Sequence, residues 1–346
     1  MKPCRVLVTG AGSGVGQGVV KALRHSDLPV TVICSDIAPL NVALYRADEA
    51  LILPKVEAPG SLETIIAALK EHRIDVVMIG SEFDLEYFAE HKEVIEERTA
   101  AIIAVSPLET VRIADDKWLT AEFLRESGLP YAPAALPKSL DDALKVAAEW
   151  GYPLILKPRR DTSSRHVHVI HTPADMESCF PQVPNPMLQE LLDMPSAALN
   201  NEYTCSVFRT RDGDLLGPFT ARRTLRGGTS WHIEVDEFAA LHPMLLAVAA
   251  KLPFIGSLNV QLIQGDNGPV AFEINSRFSG TTAVRAHFGF NEPDMFLRDY
   301  FYGLPVPRPI IGKGVCLRYL DEVFIDDVSA DDLTTAIPKG EVHPWF

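Results

Sequence analysis

Three polar residues near the C-terminal end of the chain have types and spacing that suit metal and phosphate binding. Glu273, Asn275 and Arg277 alternate with apolar residues in the run FEINSR. On a β-strand they would project together, while Phe272 and Ile274 face the core. A carboxylate, an amide oxygen and a guanidinium in one row can hold a hard divalent cation and the phosphates that it bridges. The alternative is a half-exposed strand whose polar residues are solvated.

Gln261 lies in the preceding apolar run, and the two runs are expected to form a β-hairpin. A three-residue turn that pairs Gly265 with Pro269 would place Gln261 directly opposite Glu273, on the same face. A two-residue turn would place Gln261 opposite Phe272 and spoil the site. The metal hypothesis therefore predicts the odd-length turn.

Two lysines further upstream are candidates for phosphate contacts. Lys157 ends an apolar strand and is followed by proline, so it points outward from a fixed place. Lys117 is expected near the start of a helix, where positive charge opposes the helix dipole, and this hints at a function. The alternative is that both are ordinary surface lysines, which are common. The polar segment 159–166 is expected to form a mobile lid over phosphates.

The strand expected at 187–191 has an edge that could pair with an adenine base. Glu202, after an insertion-like loop, could accept hydrogen bonds from ribose hydroxyls. An arginine cluster near a strand end suits an anion, although pairing with nearby acids is the ordinary alternative. This cluster comprises Arg222, Arg223 and Arg226.

A glycine-rich loop near the N-terminus offers a competing interpretation. Residues 9–16 lie between a predicted strand and helix, where they could cradle a dinucleotide pyrophosphate, with Asp36 on the ribose. The spacing fits short-chain dehydrogenases and epimerases, which also need a Tyr-x-x-x-Lys pair. No tyrosine here meets that requirement; after Tyr87, Lys92 comes one residue late. The alternatives are a tight turn that needs glycine for close packing, or a substrate contact from the loop amides.

The bulk composition indicates a soluble globular protein. The 346 residues suffice for two or three domains, and 47% are apolar and 23% charged. A net charge of −14 argues against nucleic-acid or membrane binding, but a local basic pocket stays compatible with it. Five scattered cysteines without a CxxC pair suit reduced thiols in the cytoplasm. We expect no signal peptide and no membrane span.

The order of predicted elements gives the fold class. Short buried strands alternate with helices in the first third, which predicts a Rossmann-like α/β domain with a parallel sheet covered on both faces. A small mixed unit and then a strand-rich α+β part with antiparallel sheets follow. The predicted parts are 1–113, 114–186, 187–310 with the metal site, and a tail, 311–346, that packs on the body.

These motifs in this order resemble the ATP-grasp superfamily, most closely the carbamoyl-phosphate synthetase large-subunit type. The matching runs are GSLNVQ at 256–261 and FEINSR at 272–277, with Lys157-Pro158 and Gln189-Glu190 upstream. The resemblance covers roughly residues 1 to 305 and implies a pre-ATP-grasp domain before a two-part ATP-grasp fold. The chain departs from it in a lid without glycines, 160–165, and in a lysine where those synthetases have arginine.

The resemblance also implies roles for individual residues. Phosphate contacts are expected from Lys117 and Lys157, adenine-hinge contacts from Glu190 and Leu192, and ribose contacts from Glu202. Gln189 is a further nucleotide-binding candidate. The expected ligands of Mg2+, or of Mn2+ as an alternative ion, are Gln261, Glu273 and Asn275. The catalytic positions are Arg277, near the transferred phosphoryl group, and Arg222. Weaker candidates for substrate contacts are Ser81-Glu82, the loop 10–16, Arg226 and Arg285.

The implied activity is an ATP-dependent ligase that phosphorylates a small-molecule carboxylate and couples the acyl phosphate to an amine. Carbamoyl-phosphate synthesis itself is not expected, because the sequence carries one such ATP-grasp module and no glutamine-hydrolysing partner. The first rival is an NAD(P)-dependent oxidoreductase or epimerase. A second is a nucleotide-binding protein without catalysis, which the intact Glu-x-Asn disfavours. Homodimer formation is left open.

Overall fold

The computed structural model describes residues 1–160, 166–192, 202–265 and 267–325 and the backbone of 342–343. Its first part is a five-stranded parallel sheet in the order β3-β2-β1-β4-β5. The strands are β1 (Cys4–Thr9), β2 (Val30–Asp36), β3 (Glu49–Ile52), β4 (Val76–Ile79) and β5 (Ile102–Ala104). The helices that connect them are α1 (Gly14–Arg24), α2 (Ser61–Glu71) and α3 (Glu82–Thr99), with a 3-10 turn at Val42–Tyr45. Strand β4 is wholly buried because both faces of the sheet are covered.

Two helices follow β5, and the second of them is the helix expected near Lys117. They are α4 (Leu108–Asp115) and α5 (Lys117–Glu126). Asp116 separates them because its backbone is extended, and its carboxylate accepts hydrogen bonds from the backbone N–H groups of Trp118 and Leu119. This cap makes Lys117 the first residue of α5.

A four-stranded antiparallel sheet in the order β6-β9-β7-β8 forms the small middle unit. Its strands are β6 (Ala134–Ala135), β7 (Leu154–Pro158), β8 (His168–Ile170) and β9 (Pro186–Glu190). Its helices are α6 (Leu140–Trp150) and α7 (Pro173–Cys179), followed by a 3-10 turn at Phe180–Gln182. Both helices begin at a hydroxyl cap, Ser139 and Thr172. Their apolar faces close a small core over Leu154 and Leu156.

A seven-stranded antiparallel sheet forms the remainder, in the order β15-β14-β10-β12-β13-β16, with β11 paired to β10. The strands are β10 (Glu202–Arg209), β11 (Leu215–Phe219), β12 (Ala221–Arg226), β13 (Thr229–Val235), β14 (Gly256–Gly265), β15 (Gly268–Asn275) and β16 (Gly314–Leu317). The helices are α8 (His242–Lys251), α9 (Thr282–His287) and α10 (Glu292–Phe296), with a 3-10 turn at Ala239–Leu241 and a π-helix at Leu297–Phe301. A two-stranded pair joins β17 (Phe324–Ile325) to β18 (Val342–His343).

Thr220 separates β11 from β12, and α8 begins at His242, after the 3-10 turn. The C-terminal segment contributes β16, which pairs with β13 at the edge of the sheet. The fold class predicted from the sequence, a parallel sheet followed by antiparallel sheets, is confirmed.

Helix α1 joins the first sheet to the large one, because it packs on α9 and α10 as well as on its own sheet. One apolar core therefore runs from Val6 and Val19 to Phe208 and Phe290. This packing brings the N-terminus of α1 and the start of α3 beside the end of β15. Among the described residues, no helix is both long enough and apolar enough for a membrane span.

Candidate functional site

A cavity of about 520 Å³ lies between the first sheet, the small sheet and the large sheet. All but one of the predicted site residues line it, although they come from segments far apart in the chain. These are Lys117, Lys157, Gln189, Glu190, Leu192, Glu202, Gln261, Glu273, Asn275 and Arg277. The exception is Arg222. The volume falls within the range of small-molecule pockets, roughly 300 to 1,000 Å³.

The β14–β15 hairpin places Gln261 opposite Glu273, as predicted, but by a different route. Gly265 pairs with Gly268, so the predicted odd-length turn, with Gly265 opposite Pro269, is wrong; Asp266 lies outside the described residues. A β-bulge restores the register, because Leu262 pairs with Ala271 and leaves one extra residue before Glu273.

The bulge changes the position of Phe272. The sequence places this ring in the core, but Phe272 lines the cavity, and Ala271 is fully buried in its place. Ile155 and Ile263 also line the cavity. These side chains form an apolar wall that suits a flat ring, beside the polar row of the same hairpin.

The polar row is held together by hydrogen bonds around one carboxylate. Glu273 Oε1 accepts from Gln261 Nε2 at 2.9 Å and from Asn275 Nδ2 at 2.9 Å. The amide oxygen of Gln261 accepts from Arg223 Nη2 at 2.8 Å. The two amides therefore orient the carboxylate and also carry oxygens of their own.

This donor set fits a magnesium ion. Carboxylate and amide oxygens are hard ligands, and Mg2+ is usually bound through one or two carboxylates plus substrate phosphates and waters. Within the described ranges, no group of three or more His, Cys, Asp or Glu side chains is arranged for a metal. An ion here would rest on the carboxylate of Glu273 with the amide oxygens of Gln261 and Asn275.

Lys157 is buried in the cavity wall, with 7% of its surface exposed. Its Nζ donates to Gln189 Oε1 at 2.6 Å. Burial and then repulsion from Lys117 lower the pKa of Lys157 to about 8, against the attraction of Glu273. Gln189 also donates weakly to the Ala132 carbonyl at 3.4 Å. The Gln189 side chain, a predicted nucleotide-binding residue, thus holds Lys157 in place.

The arginine that enters the cavity is Arg223, and the expectation for Arg222 needs correction. Arg222 pairs with Tyr203 and Arg223 with Glu202 across β10 and β12, so the two arginines face opposite sides of the sheet. Arg222 Nη2 donates to Glu234 at 2.6 Å, outside the cavity lining. Arg223 Nη2 donates to Glu202 at 2.6 Å and also to Gln261. The sequence indicates the arginine cluster, but it does not show that Arg223, and not Arg222, faces the cavity.

Arg277 connects the hairpin to the first domain. Its Nη2 forms an ion pair with Glu82, the first residue of α3, and its Nη1 donates to the Phe278 carbonyl at 2.8 Å. Burial, and then repulsion from Arg285, lower the pKa of Arg277 to about 10. Glu82 was named only as a weak substrate candidate, and its pairing across 195 positions has no local signal in the sequence.

Two further arginines named as weak substrate candidates do not line the cavity. Arg226 lies over the Trp231 ring at 4.8 Å. Arg285 is fully buried and donates to both carboxylate oxygens of Glu292, at 3.1 and 3.2 Å. Arg285 also donates to Asn259 Oδ1, and Asn259 lines the cavity beside the metal residues. Arg285 can therefore influence the cavity through Asn259.

The glycine loop is largely occupied by its own chain. Gly12 N–H donates to Asp36 Oδ2 at 2.9 Å, and Ser13 N–H donates to the Gly10 carbonyl at 3.0 Å. Gly16 N–H donates to Ser13 Oγ at 2.9 Å. A Cβ on Gly16 would lie 2.6 Å from the Gly10 carbonyl oxygen. Close packing therefore accounts for these glycines, and Asp36 is used within the turn.

The structure describes only part of the predicted lid, 159–166. Residues 161–165 lie outside the described residues. Arg159 Nη2 donates to Asp116 Oδ2 at 2.5 Å, and the Arg159 carbonyl accepts from Lys117 N–H at 3.0 Å. The start of the segment is thus fixed to the cap of α5, next to the first phosphate candidate.

Comparison with known proteins agrees with this fold. A family model for the PylC-like N-terminal domain matches residues 6–103. The carbamoyl phosphate synthase large chain of Ralstonia nicotianae is 27% identical over 317 residues, 80% of this chain and 27% of the relative. The arginine-specific large chain of Cutaneotrichosporon cutaneum is 26% identical over 379 residues, 98% of this chain and 30% of the relative. The chain thus spans less than a third of the length of these two relatives.

A solved structure with the same fold is N5-carboxyaminoimidazole synthetase from Staphylococcus aureus in complex with ADP. Its TM-score is 0.72 at 17% identity, and the match covers 92% of this chain and 82% of that one. These comparisons give no support to the oxidoreductase alternative. Similarity along most of the chain, the shared fold and the motif residues gathered in one cavity together support the predicted resemblance to the ATP-grasp superfamily.

Proposed function

We propose that this protein is an ATP-dependent ligase that activates a small-molecule carboxylate and couples it to an amine. The observation that carries the proposal is the shared cavity of Lys157 and the Gln261–Glu273–Asn275 row. A buried cation beside hard oxygen ligands suits a polyphosphate bound through a metal ion. The apolar wall that Phe272 contributes suits the adenine ring.

The residues divide the nucleotide among themselves in this proposal. Lys157 and Lys117 contact the phosphates, and Arg277 neutralises charge near the transferred group. Glu190 and Leu192 lie at the adenine edge, while Glu202, fixed by Arg223, faces the ribose. Bound Mg2+, or Mn2+ in its place, would neutralise charge on the phosphates and polarise the transferred group. Glu273, Gln261 and Asn275 would hold that ion.

The reaction balances without a protein nucleophile. A carboxylate oxygen of the substrate attacks the γ-phosphorus of ATP, ADP leaves, and an acyl phosphate forms. The amine nitrogen then attacks the acyl carbon, phosphate leaves, and the nitrogen loses a proton. Positioning and charge neutralisation supply most of the catalysis in such transfers. The buried side chains of Lys157 and Arg277 can provide both.

The substrates, assembly and compartment belong to the same proposal. The match covers less than a third of each relative named carbamoyl phosphate synthase, so their full reaction is not assigned to this chain. We expect a ligase for an amino acid or another small acid. The proposal also includes a cytoplasmic location, which is expected from the scattered thiols. It includes a homodimer as well, which the sequence leaves open.

An ADP-release assay over a panel of carboxylic acids and amines tests the proposal, with thermal-shift titrations of Mg2+-ATP and of NADH beside it. A ligand at 100 times its Kd stabilises a protein by about 2.7 kcal/mol. We expect stabilisation by Mg2+-ATP, none by NADH, and ADP release that depends on both an acid and an amine. Stabilisation by NADH without any ADP release would refute the ligase.

A further inference from the structure

The two lysines assigned to the phosphates belong to different parts of the fold. Lys117 is the first residue of α5, and Lys157 lies in β7 of the small sheet. Both line the cavity, and repulsion from Lys117 contributes to the lowered pKa of Lys157, so the two ammonium groups lie close enough to interact. Like charges need a fixed frame to stay together without a ligand. That frame must join the start of α5 to the end of β7.

The carboxylate of Asp116 makes this junction. On the α5 side, its Oδ1 accepts from the backbone N–H groups of Trp118 at 2.9 Å and Leu119 at 3.3 Å. On the β7 side, Arg159 directly follows the strand and donates from Nε to Oδ1 at 3.2 Å and from Nη2 to Oδ2 at 2.5 Å. A forked contact between a guanidinium and a carboxylate fixes orientation as well as distance. Asp116 therefore fixes the chain on both sides of the junction.

The backbone of Arg159 completes the junction. Its carbonyl accepts from Lys117 N–H at 3.0 Å, and its own N–H donates to the Asn185 carbonyl at 3.2 Å, directly before β9. Strand β9 carries Gln189, which accepts the hydrogen bond from Lys157 Nζ at 2.6 Å. A continuous path of hydrogen bonds and backbone thus runs from the first lysine, through Arg159 and β9, to the second.

Asp116 is closed off from water and does not line the cavity. Only 3% of its surface is exposed, whereas its neighbours Asp115 and Lys117 are part of the lining. Arg160 Nε also lies 3.6 Å from Asp116 Oδ2, but the Arg160 side chain is 47% exposed, and exposed ion pairs contribute little. The buried carboxylate therefore depends mainly on Arg159. Because Asp116 does not line the cavity, any effect on binding must pass through the groups that it holds.

We propose that Asp116 is a positioning residue that holds Lys117 and Lys157 at the spacing that a metal-bound polyphosphate requires. This inference rests on the proposed function and adds a residue outside the cavity lining to it. When the junction is broken, repulsion separates the two ammonium groups. The affinity for ATP then falls, because part of the binding energy must restore their spacing.

The variant Asp116→Asn separates positioning from helix capping. Asparagine caps a helix about as well as aspartate, and its amide oxygen can keep the contacts of Oδ1. Its amide N–H group replaces Oδ2, however, and faces the Nη2 donor of Arg159, so the fork is lost. In calorimetry with Mg2+-ATP and no other substrate, we expect the Kd to rise about tenfold. In the ADP-release assay, the KM of the acid should stay unchanged, and urea unfolding checks the fold.

Dependence on Lys117 distinguishes positioning from a general structural role. Lys117→Met removes the charge that Asp116 is proposed to position. In that background, Asp116→Asn should change the Kd of Mg2+-ATP by no more than about twofold, because neither the repulsion nor the spacing of the two charges remains. The same tenfold loss in both backgrounds would mean that the carboxylate only stabilises the fold, and it would overturn the inference.

Arg159→Lys tests the other half of the junction, and it serves as the second variant if Asp116→Asn does not fold. Lysine keeps the charge but not the fork, so the Kd should rise about threefold, again only when Lys117 is present. An unchanged Kd would contradict the junction. Glu122→Gln, which breaks the ion pair with Arg125 on the same helix, is the matched control and should leave the Kd unchanged.

The outcomes separate this inference from the proposed function, because binding of Mg2+-ATP is measured without turnover. A rise of the Kd that depends on Lys117, in a protein that releases no ADP with any acid or amine, would support the positioning role and refute the ligase. ADP release together with a Kd that Asp116→Asn does not change would refute the positioning role and leave the ligase intact. Failure of the unaltered protein to bind Mg2+-ATP would refute both.

Discussion

Gln261 Nε2 donates to Glu273 Oε1 across the β14–β15 hairpin at 2.9 Å, while the oxygen of the same amide accepts from Arg223. The amide is thus held from both sides. The carboxylate it orients also accepts from Asn275, so its direction is set by the protein before any ligand binds. Preorganised groups of this kind cost little reorganisation during a reaction.

The charge of Glu273 is expected to be essential for activity. Glu273→Gln keeps the shape and removes the one carboxylate in the row. A loss of about 3 kcal/mol of transition-state stabilisation would lower kcat/KM roughly 100-fold. The ADP-release assay measures this, and thermal unfolding checks the fold. Glu234→Gln, on the same sheet but paired with Arg222, should retain activity. Full activity of Glu273→Gln would refute the metal assignment.

Binding of Mg2+-ATP should weaken above pH 8. The pKa of Lys157 is lowered to about 8 by burial, so its ammonium loses the proton as pH rises through that value. An exposed lysine would stay charged to about pH 10.4. We expect the Kd from calorimetry to rise by up to about tenfold per pH unit above pH 8. Lys157→Arg, which stays protonated, should bind more weakly but without that dependence. The same rise in this variant would exclude Lys157 as its cause.

Adjacent arginines provide a matched pair. Arg223→Met removes the partner of Glu202 and Gln261 in the cavity, and Arg222→Met removes a partner of Glu234 outside it. Only the first should raise the KM of ATP, by about tenfold or more, since about 1.4 kcal/mol of lost binding has that effect. Steady-state kinetics of the two variants decide it. Equal effects would mean that the arginines act through the sheet and not through the cavity.

The Arg285–Glu292 ion pair should be costly to break from one side. Both side chains are fully buried, and Glu292 also accepts from Ser206 and Ser257 at 2.5 Å. Arg285→Met should lower the free energy of unfolding by about 3–5 kcal/mol because it leaves a buried charge. The double variant Arg285→Met/Glu292→Leu should lose less than the sum of the single variants in urea unfolding. Strict additivity would contradict coupling within the pair.

The glycines near the cavity should differ in stability effects. A Cβ on Gly80 would lie 2.3 Å from the Thr9 carbonyl oxygen, whereas a Cβ on Gly14 meets no atom within 4 Å. Gly80→Ala should destabilise the protein by about 1–3 kcal/mol or more through overpacking. Gly14→Ala, at the start of α1, should be neutral or stabilising by up to about 1 kcal/mol. Urea unfolding compares them, and equal losses would contradict the packing explanation for Gly80.

Most of the fold could be predicted from local patterns. Buried runs such as Val76–Ile79 are apolar throughout because helices cover both faces of a parallel sheet. The Glu-x-Asn-x-Arg row was predictable because alternation along a strand fixes which side chains share a face. Lys157 was predictable because it ends an apolar run and is followed by proline.

The errors arose where the backbone departs from a regular period or where partners are distant. Helix α4 (Leu108–Asp115) was not predicted, and the extended backbone of Asp116 separates it from α5. Arg222 and Arg223 are equivalent in sequence, and only the pairing with β10 decides which one reaches Glu202. The ion pair between Arg277 and Glu82 depends on the packing of two domains, which no local pattern encodes.

The bulge at Phe272 has a consequence for comparing this chain with its relatives. Two consecutive positions, Phe272 and Glu273, face the same cavity, so hydropathy alternation is out of phase by one residue on the two sides of the bulge. A relative with a regular hairpin would need a one-residue gap at this point for its metal ligands to align. A relative that lacks the extra residue at the bulge but has one more residue in the turn would have a hairpin of the same length. An alignment without gaps would then place one of its core residues opposite Phe272. Alignments should therefore be anchored on Glu273 and not on the turn.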